Sequence, residues 1–239
     1  MFPTARPPTA LTSLYLWRVP SAAVPRALGH MAIDRLRLRR QRGLRFVKLL
    51  GTGSGRTFTP RDADPHHWAL LTVWDDEAAA TEFDAGPVVE SWRGIAEEEW
   101  RTRLRPLASR GSWSRREPFG RPEPQLWRGP VAALTRARLV LRRAPRFWRA
   151  VPPVSADLHR APGLLTAFGI GEAPVGVQGT FSVWESSAAL SGFAYARSPH
   201  VDVVRRTGSE GWYAEELFAR FAVLSSHGTV AGVNPVSVG

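Results

Sequence analysis

The chain has 239 residues, of which 44% are hydrophobic, and it carries a formal net charge of +11 at pH 7. This length allows one large domain or two small ones, and the composition is sufficient for a buried core. The chain has no apolar run of the roughly 18 residues that a membrane-spanning helix needs. It also has no cysteine, which excludes disulfides and thiolate ligands to a metal.

The basic excess is spread along the chain, and Lys48 is the one lysine among 32 basic residues. We do not expect nucleic acid as a partner, because the sequence has neither zinc-finger spacing nor an RNA-binding signature. An anionic membrane surface or an acidic protein fits the charge better, and the alternative is that the arginines reflect only the codon usage of a GC-rich genome. The N-terminus has no signal-peptide pattern, so we expect a cytoplasmic protein, with peripheral contact to a membrane left open.

The first half of the chain predicts the order strand, helix, strand, strand, helix, strand. The elements are a strand over 11–19, a helix from 20 to 42, strands over 46–50 and 68–74, a helix from 76 to 100 restarted at Gly86-Pro87, and a strand over 104–113. The first helix is expected to place its apolar residues on one covered side, namely Leu28, Met31, Ile33, Leu36 and Leu38.

The second half repeats the first. Trp68-Ala-Leu-Leu-Thr-Val-Trp74 is echoed by Gly179-Thr-Phe-Ser-Val-Trp184, and Gly86-Pro87 by Ser198-Pro199. The predicted elements are a strand over 131–141, helical pieces over 145–158, strands over 164–168 and 177–184, helices over 186–193 and 198–217, and a strand over 218–224.

This duplication predicts an α+β fold of two tandem ferredoxin-like (βαββαβ) repeats that form an intramolecular dimeric α/β barrel. The shared core is expected to be lined by Trp68, Leu70, Phe181 and Val183 or their strand neighbours. The predicted organisation is a flexible N-terminus over 1–10, repeat 1 over 11–114, a linker over 115–129, repeat 2 over 130–228, and a tail over 229–239 with little to pack against.

Two glycine-rich segments occupy corresponding places, Gly51-Thr-Gly53-Ser-Gly55 and Gly169-Ile-Gly171. A phosphate-binding loop needs a helix after the glycines, and the first segment continues instead into Arg56-Thr-Phe-Thr-Pro60. We therefore favour a duplicated structural turn over a nucleotide site, with a place on the rim of a pocket as the alternative role of such loops.

None of the six histidines is paired with another at i, i+4 spacing, and His66 and His67 are adjacent in a strand, so their rings face opposite sides. His200 differs from the rest. It follows Ser198-Pro199 at a helix start where the first repeat has the apolar Val88. The helix dipole disfavours imidazolium there, so the ring is expected to be neutral and able to bind a metal. The alternative is a histidine that merely helps to start a helix.

Arg197, Arg205 and Arg206 flank His200 and are candidates for pairing with carboxylates of a bound cofactor. Arginines of this kind also occur simply as a solvated helix face. Glu97-Glu-Glu99 is interpreted as a charged helix end, and no nucleophile triad or carboxylate pair is recognised.

Five segments together resemble the spheroidene monooxygenase family of carotenoid biosynthesis, over about residues 11–228. They are Phe46-Val-Lys-Leu-Leu-Gly-Thr-Gly53, Trp68-Ala-Leu-Leu-Thr-Val-Trp-Asp75, Gly169-Ile-Gly-Glu-Ala-Pro-Val175, Phe193-Ala-Tyr-Ala-Arg-Ser-Pro-His200 and Glu210-Gly-Trp-Tyr-Ala-Glu-Glu-Leu-Phe-Ala-Arg-Phe221. The duplicated barrel is also similar to a wider group that includes haem proteins and cofactor-free antibiotic-biosynthesis monooxygenases.

The resemblance implies a haem-dependent, O₂-using ketolase or hydroxylase of acyclic carotenoids that receives electrons from a ferredoxin. It implies that His200 is the axial ligand of the haem iron and that Arg197, Arg205 and Arg206 hold the propionates. Two alternatives stay open: a cofactor-free oxygenase or isomerase of secondary metabolism, and a non-enzymatic protein that binds a hydrophobic ligand. The oligomeric state is not predicted.

Overall fold

A computed structural model describes residues 11–54, 62–139, 157–172, 177–196 and 213–236. Its strands are β1 (Leu11–Arg18), β2 (Leu44–Gly53), β3 (Ala63–Trp74), β4 (Glu98–Gly111), β5 (Val131–Leu139), β6 (Leu164–Gly171), β7 (Val177–Trp184) and β8 (Tyr213–Gly228).

The helices lie between the strands of each repeat. They are a 3₁₀ turn (Ser21–Ala23) followed by α1 (Val24–Leu38), then α2 (Glu77–Asp84), α3 (Pro87–Arg93) and α4 (Ser187–Ala196). Asp76 caps α2, since its carboxylate accepts the N–H of Ala79 at 2.8 Å. Pro87 is the first residue of α3, where its missing N–H costs no hydrogen bond.

The eight strands form one closed barrel in the order β1-β3-β2-β6-β7-β5-β8-β4. The first repeat contributes the order β4-β1-β3-β2 and the second contributes β8-β5-β7-β6, which is the same order in corresponding strands. One seam is short, with Gly51–Gly53 of β2 against Gly169–Gly171 of β6. The other is long and joins β4 to β8 over most of their length. The predicted fold class, with the same topology in both repeats, is confirmed.

A pair of glycines shows how closely the repeats correspond. Gly43 and Gly163 both have positive φ, at 70° and 75°. A Cβ at Gly43 would lie 2.6 Å from that of Ala79, and one at Gly163 would lie 2.7 Å from that of Ala189. Each turn is therefore restricted to glycine by its backbone conformation and by the helix packed against it.

The barrel interior is apolar. Alternate residues of the strands point into it, including Leu71 and Val73 of β3 and Phe181 and Val183 of β7. Trp68 and Leu70 were predicted for this core, but they lie on the opposite face of β3 and pack with Tyr15, Trp17 and Trp92 under the helices. Because β3 is buried on both faces, its sequence contains no polar alternation that could have shown which face is which.

Several predicted elements are wrong in extent or orientation. Leu28, Ile33 and Leu36 of α1 are exposed rather than covered, at 56%, 53% and 63%. The second helix of repeat 1 stops at Arg93, and Glu98–Trp100 belong to β4. Tyr213–Leu217 belong to β8 rather than to a helix. The helical pieces predicted over 145–158 fall mostly outside the described residues.

The chain that follows β4, which includes the linker, and the tail pack against the barrel. Trp113 and Phe119, both beyond the end of β4, are buried at 0% and 3% exposure and join the interior cluster. The tail was expected to have little to pack against, but Val236 joins the same cluster at 4% exposure. Helices long and apolar enough to cross a membrane are absent from the described part of the chain.

Candidate ligand site on the second repeat

The strand ladders align the two repeats residue by residue. Leu11 pairs with Trp74 in repeat 1, and Val131 pairs with Trp184 in repeat 2. On the outer, helix-facing side of the sheet, Tyr15 is therefore the counterpart of Thr135, and Trp17 is the counterpart of Ala137. By the same ladders, Leu70 corresponds to Thr180 and Leu49 to Gly169.

In repeat 1 this outer face is filled by large side chains. Tyr15 stacks on Trp17 with ring centroids 5.4 Å apart, and Trp17 stacks on Trp92 of α3 at 5.0 Å. Tyr15, Trp17 and Leu70 are fully buried. The space between sheet and helices is thus occupied by the chain's own aromatic layer.

In repeat 2 the same positions carry small side chains, and we call the face formed by Ala133, Thr135, Ala137, Gly169 and Thr180 the small-residue face. Thr135 is exposed and Thr180 is half-buried, whereas their counterparts Tyr15 and Leu70 are completely covered. Three strands at their usual spacing span roughly 10 Å. The small-residue face therefore presents small side chains across three neighbouring strands, with Thr135 as its exposed member and Ala137 and Gly169 buried.

Arg220 borders this face and has lost the partners of its counterpart. Arg103 of β4 pairs with Ser13, and Arg220 of β8 pairs with Ala133 at the corresponding place in repeat 2. Arg103 binds the carboxylate of Asp84 at 2.6 Å and the carbonyl of Ala80 at 2.8 Å, and it donates to the Ser13 hydroxyl.

Asp84 corresponds to Ala194 and Ser13 to Ala133, so both side-chain acceptors are missing in repeat 2. Within the described residues, the Nε of Arg220 is buried without a hydrogen-bond partner. A guanidinium beside a face of small residues is suited to an anionic group of a ligand. The sequence does contain this signal, as an arginine kept at a repeated position whose partners have become alanine.

The residues predicted for a cofactor lie outside the described part of the chain. His200, Arg197, Arg205 and Arg206 fall within 197–212, in the connection between α4 and β8. The two elements that flank this connection both border repeat 2's outer face. Phe193 of α4 packs on Trp184 with centroids 5.3 Å apart, and β8 carries Arg220. The site assignment of these four residues therefore remains a prediction.

The described histidines are not gathered into a metal site with several protein ligands. The Nδ1 of His66 lies 3.1 Å from the Val19 carbonyl, and that of His67 lies 2.7 Å from a carboxylate oxygen of Asp64. His159 and His227 are exposed. Groups of three or more His, Asp or Glu side chains arranged to hold a metal are absent from the described residues.

His30, Asp34 and Ser91 come together, but they do not form a nucleophilic triad. The Ser91 hydroxyl and the Asp34 carboxylate approach the same ring nitrogen, Nδ1 of His30, at 3.3 and 3.5 Å. A triad needs the serine and the carboxylate on different nitrogens. Asp34 instead accepts from Trp92 Nε1 at 3.0 Å and pairs with Arg37 at 3.1 Å, so this cluster ties α1 to α3.

One end of the barrel interior holds a charged cluster that the sequence did not predict. We call Lys48, Arg136, Glu172 and Glu215 the mouth cluster. Lys48 binds Glu172 at 2.5 Å and Arg136 pairs with Glu215, while the indole of Trp113 donates to Glu172. These residues are far apart in the chain, so only the closed barrel brings them together.

The mouth cluster also holds the start of the linker in place. Glu215 accepts the backbone N–H groups of Ser114 and Arg115 at 3.2 and 2.7 Å, although both residues have positive φ. Burial alone would raise the pKa of Glu215, but the Arg115 N–H and the Arg136 guanidinium lower it to about 2. Each carboxylate has a cation partner, so the cluster is a structural closure rather than a reactive site.

The glycine-rich segment at 51–55 is structural where it is described. Gly51–Gly53 lie inside β2 and pair with both β3 and β6, with Gly53 directly opposite Ala63.

Glu97-Glu-Glu99, predicted as a helix end, instead supports a strand: Glu99 accepts from Trp17 Nε1 at 2.8 Å and from Arg93 at 2.9 Å. These contacts leave the small-residue face as the leading candidate site.

The fold is shared with known structures. Aldoxime dehydratase superposes with a TM-score of 0.59 at 11% identity, covering 90% of this chain and 81% of that one. An aldoxime dehydratase complex with butyraldoxime gives the same score at 9% identity, covering 90% and 79%. At such identities the likeness concerns the fold alone. No protein-family model matches the chain.

The closed barrel and the equal strand order of its two repeats thus define a duplicated dimeric α/β barrel. The family follows from the sequence similarity of the chain to known proteins. The spheroidene monooxygenase of Rhodobacter capsulatus is 36% identical over 234 residues, which cover 95% of each chain. That of Rubrivivax gelatinosus is 38% identical over 192 residues, covering 80% of this chain and 73% of that protein. The chain belongs to the spheroidene monooxygenase family.

Proposed function

We propose that this protein is a haem-dependent monooxygenase that hydroxylates or ketolates an apolar small molecule, with an acyclic carotenoid as the leading substrate class. Family membership supports the monooxygenase activity and the carotenoid-like substrate. The observation that carries the cofactor proposal is the small-residue face, where the described strands of repeat 2 have Thr135, Ala137 and Thr180 at the positions that Tyr15, Trp17 and Leu70 fill in repeat 1.

The described residues of repeat 2 are compatible with a haem in their chemistry. The small-residue face is mostly apolar, and Arg220 supplies a cation without a described counter-charge. His200 is the histidine that would hold the haem iron, and Arg197, Arg205 and Arg206 are the cations that would hold the propionates. Bound haem would supply O₂ activation, using two electrons and two protons to insert one oxygen atom into a C–H bond and release the other as water.

The chain's own part in the reaction is to bind, orient and exclude water. Gly169 and Ala137 have little or no side chain but are buried, so a planar group would approach the sheet at the exposed Thr135. The hydroxyl groups of Thr135 and Thr180 are the polar groups on this face, and Arg220 can stabilise negative charge there. A second hydroxylation at the same carbon, consuming another O₂ with two electrons and two protons, would give a geminal diol, which loses water to form the ketone.

The electron donor is proposed to be a ferredoxin. A net charge of +11 would steer an acidic protein towards the surface. Two other functions are distinguished by the test below: a cofactor-free oxygenase or isomerase, and a non-enzymatic protein that binds a hydrophobic ligand.

The visible absorption spectrum of the purified full-length protein tests the cofactor. We expect a Soret band after expression with haem supply, or after adding one equivalent of haem to the apo protein. Turnover of an acyclic carotenoid with a ferredoxin, its reductase and O₂ then tests the activity. A protein that oxidises the carotenoid without haem would be a cofactor-free oxygenase. One that binds the carotenoid without oxidising it in either form would be a binding protein.

A further inference from the structure

We propose that the outward face of α1 is a membrane-docking surface for an anionic phospholipid bilayer. Exposed large apolar side chains are few in the described residues. Leu28, Ile33 and Leu36 of α1 are three of them, and the others are Leu126, Leu224 and Val233, which lie in the linker, in β8 and in the tail. Three of these exposed apolar side chains lie on one helix of 15 residues, and such a cluster marks an interaction surface.

The apolar residues form a continuous stripe along the helix. Leu28, Ala32 and Leu36 follow one another at i, i+4 spacing, and Pro25, Gly29 and Ile33 form the adjoining row. The opposite side is the one that packs on the barrel, where Ala27, Asp34 and Leu38 are buried. The stripe therefore faces away from the protein.

Arginines border the stripe on both sides. Arg35 and Arg39 lie beside the row of Leu28, Arg26 lies beside the row of Ile33, and Arg37 continues the row of Ile33 at i+4. Residues 24–42 contain six arginines (Arg26, Arg35, Arg37, Arg39, Arg40 and Arg42) and one acidic residue, the buried Asp34. Among the described residues, Arg37 alone of these six is in an ion pair, with Asp34.

An apolar stripe between arginines is the pattern of a helix that lies in the interface of an anionic bilayer. The stripe enters the boundary of the acyl chains, while the arginine stems lie along it and their guanidinium groups reach the phosphates. An acidic protein would satisfy the charges, but it would need an apolar surface to match the three exposed side chains. The bilayer provides both chemistries at once.

This inference deepens the proposed function and rests on it for its purpose, because an acyclic carotenoid is dissolved in a bilayer and docking would bring the enzyme to its substrate. The docking itself requires neither haem nor substrate. It can therefore fail or succeed independently of the activity.

Vesicle co-sedimentation with the full-length protein tests the surface. The probes are vesicles of phosphatidylcholine alone and of phosphatidylcholine with 30% phosphatidylglycerol. We expect binding to the anionic vesicles that decreases with salt, and binding at least tenfold weaker for the variant Leu28→Gln/Ile33→Gln/Leu36→Gln. Arg35→Gln/Arg39→Gln should weaken anionic binding roughly fivefold for each arginine removed.

Two control substitutions match these changes elsewhere on the surface. Leu126 is 85% exposed and the Arg121 side chain is 90% exposed, so Leu126→Gln and Arg121→Gln alter an exposed leucine and an exposed arginine away from α1. Both should bind vesicles like the wild type, as should His200→Ala. The proposal is overturned if the wild type does not bind anionic vesicles, or if the α1 variants bind as well as it does. It is also overturned if those variants weaken only the binding of an acidic ferredoxin.

Discussion

At the scale of single residues, His200 carries the largest part of the cofactor proposal. His200→Ala is expected to abolish the native Soret spectrum while the protein stays folded, because truncating one side chain at a predicted helix start should cost on the order of 1 kcal/mol. Absorption spectra and thermal unfolding of the variant and the wild type provide the measurement. If the variant binds haem with an unchanged spectrum, the axial ligand must be sought among His66, His67, His159 and His227.

Arg220 and its counterpart Arg103 should differ in how much each contributes to the free energy of unfolding. Arg103→Ala leaves the carboxylate of Asp84 with one of its two arginine partners, and loss of a partly buried ion pair should destabilise the apo protein by about 3 kcal/mol. Arg220→Ala removes no ion pair among the described residues, so its cost should be below about 1 kcal/mol. Chemical unfolding of the haem-free variants measures both.

Arg220 is also expected to contribute to haem affinity. Arg220→Ala should weaken haem binding about tenfold, with partial recovery in Arg220→Lys. Haem dimethyl ester, which has no free propionate, should bind the wild type and Arg220→Ala equally if the partner of Arg220 is a propionate. An Arg220→Ala protein as unstable as Arg103→Ala, with unchanged haem affinity, would mean that Arg220 is purely structural.

Glu215 gives the mouth cluster a pH dependence. Its pKa is lowered from 4.5 to about 2 in the folded state. The resulting stability is present above pH 4.5 and is lost as the pH falls towards 2, and its size is about 3 kcal/mol. Glu215→Gln should remove this acid-side loss and lower the stability at pH 7 by a similar amount.

Denaturant unfolding between pH 7 and pH 3 measures the Glu215 effect. Glu216→Gln is the matched control, since Glu216 lies on the other face of β8, outside the cluster. If wild type and Glu215→Gln lose stability in parallel as the pH falls, the cluster does not hold the linker as described.

At the scale of elements, the difference between the two outer faces can be reversed by substitution. Thr135→Tyr/Thr180→Leu gives repeat 2 the residues that repeat 1 has at Tyr15 and Leu70. We expect the variant to fold with little loss of stability but to lose haem binding, because the new side chains occupy the face. Haem titration and thermal unfolding provide the measurements.

The reverse change in repeat 1 is the control for the filled face. Leu70→Thr removes a fully buried side chain and should cost about 2–4 kcal/mol, without changing the haem bound per folded molecule. Full haem affinity in the Thr135→Tyr/Thr180→Leu variant would place the cofactor elsewhere.

The sequence predicted the order of strands and helices better than it predicted which side chains are buried and which residues meet in space. The repeat around Trp74 and Trp184 was enough to predict that both halves have the same strand order, because two halves with the same pattern of apolar residues form the same strands and helices. The orientation of α1 was wrong because Leu28, Ile33 and Leu36 form a stripe that fits a covered face as well as an exposed one. The mouth cluster could not be predicted, since Lys48 and Glu172 meet only across the seam between the repeats.

At the scale of the whole molecule, the net charge of +11 predicts how electrons would be delivered. If an acidic ferredoxin is the donor, its association should be steered by long-range attraction and should weaken as salt shortens the Debye length below about 10 Å. Ferredoxin-supported turnover measured from 20 to 500 mM NaCl should show KM for the ferredoxin rising at least tenfold, with kcat nearly unchanged.

A neutral chemical reductant is the control for the salt series, because its delivery of electrons does not depend on the protein's charge. The same series with wild type and the α1 variant Arg35→Gln/Arg39→Gln separates the two uses of the basic surface. If α1 docks on the bilayer, the ferredoxin binds at another part of the surface. The wild type and the variant should then show nearly the same salt dependence in detergent solution. Turnover that is indifferent to ionic strength would instead mean that the arginines do not steer the donor at all.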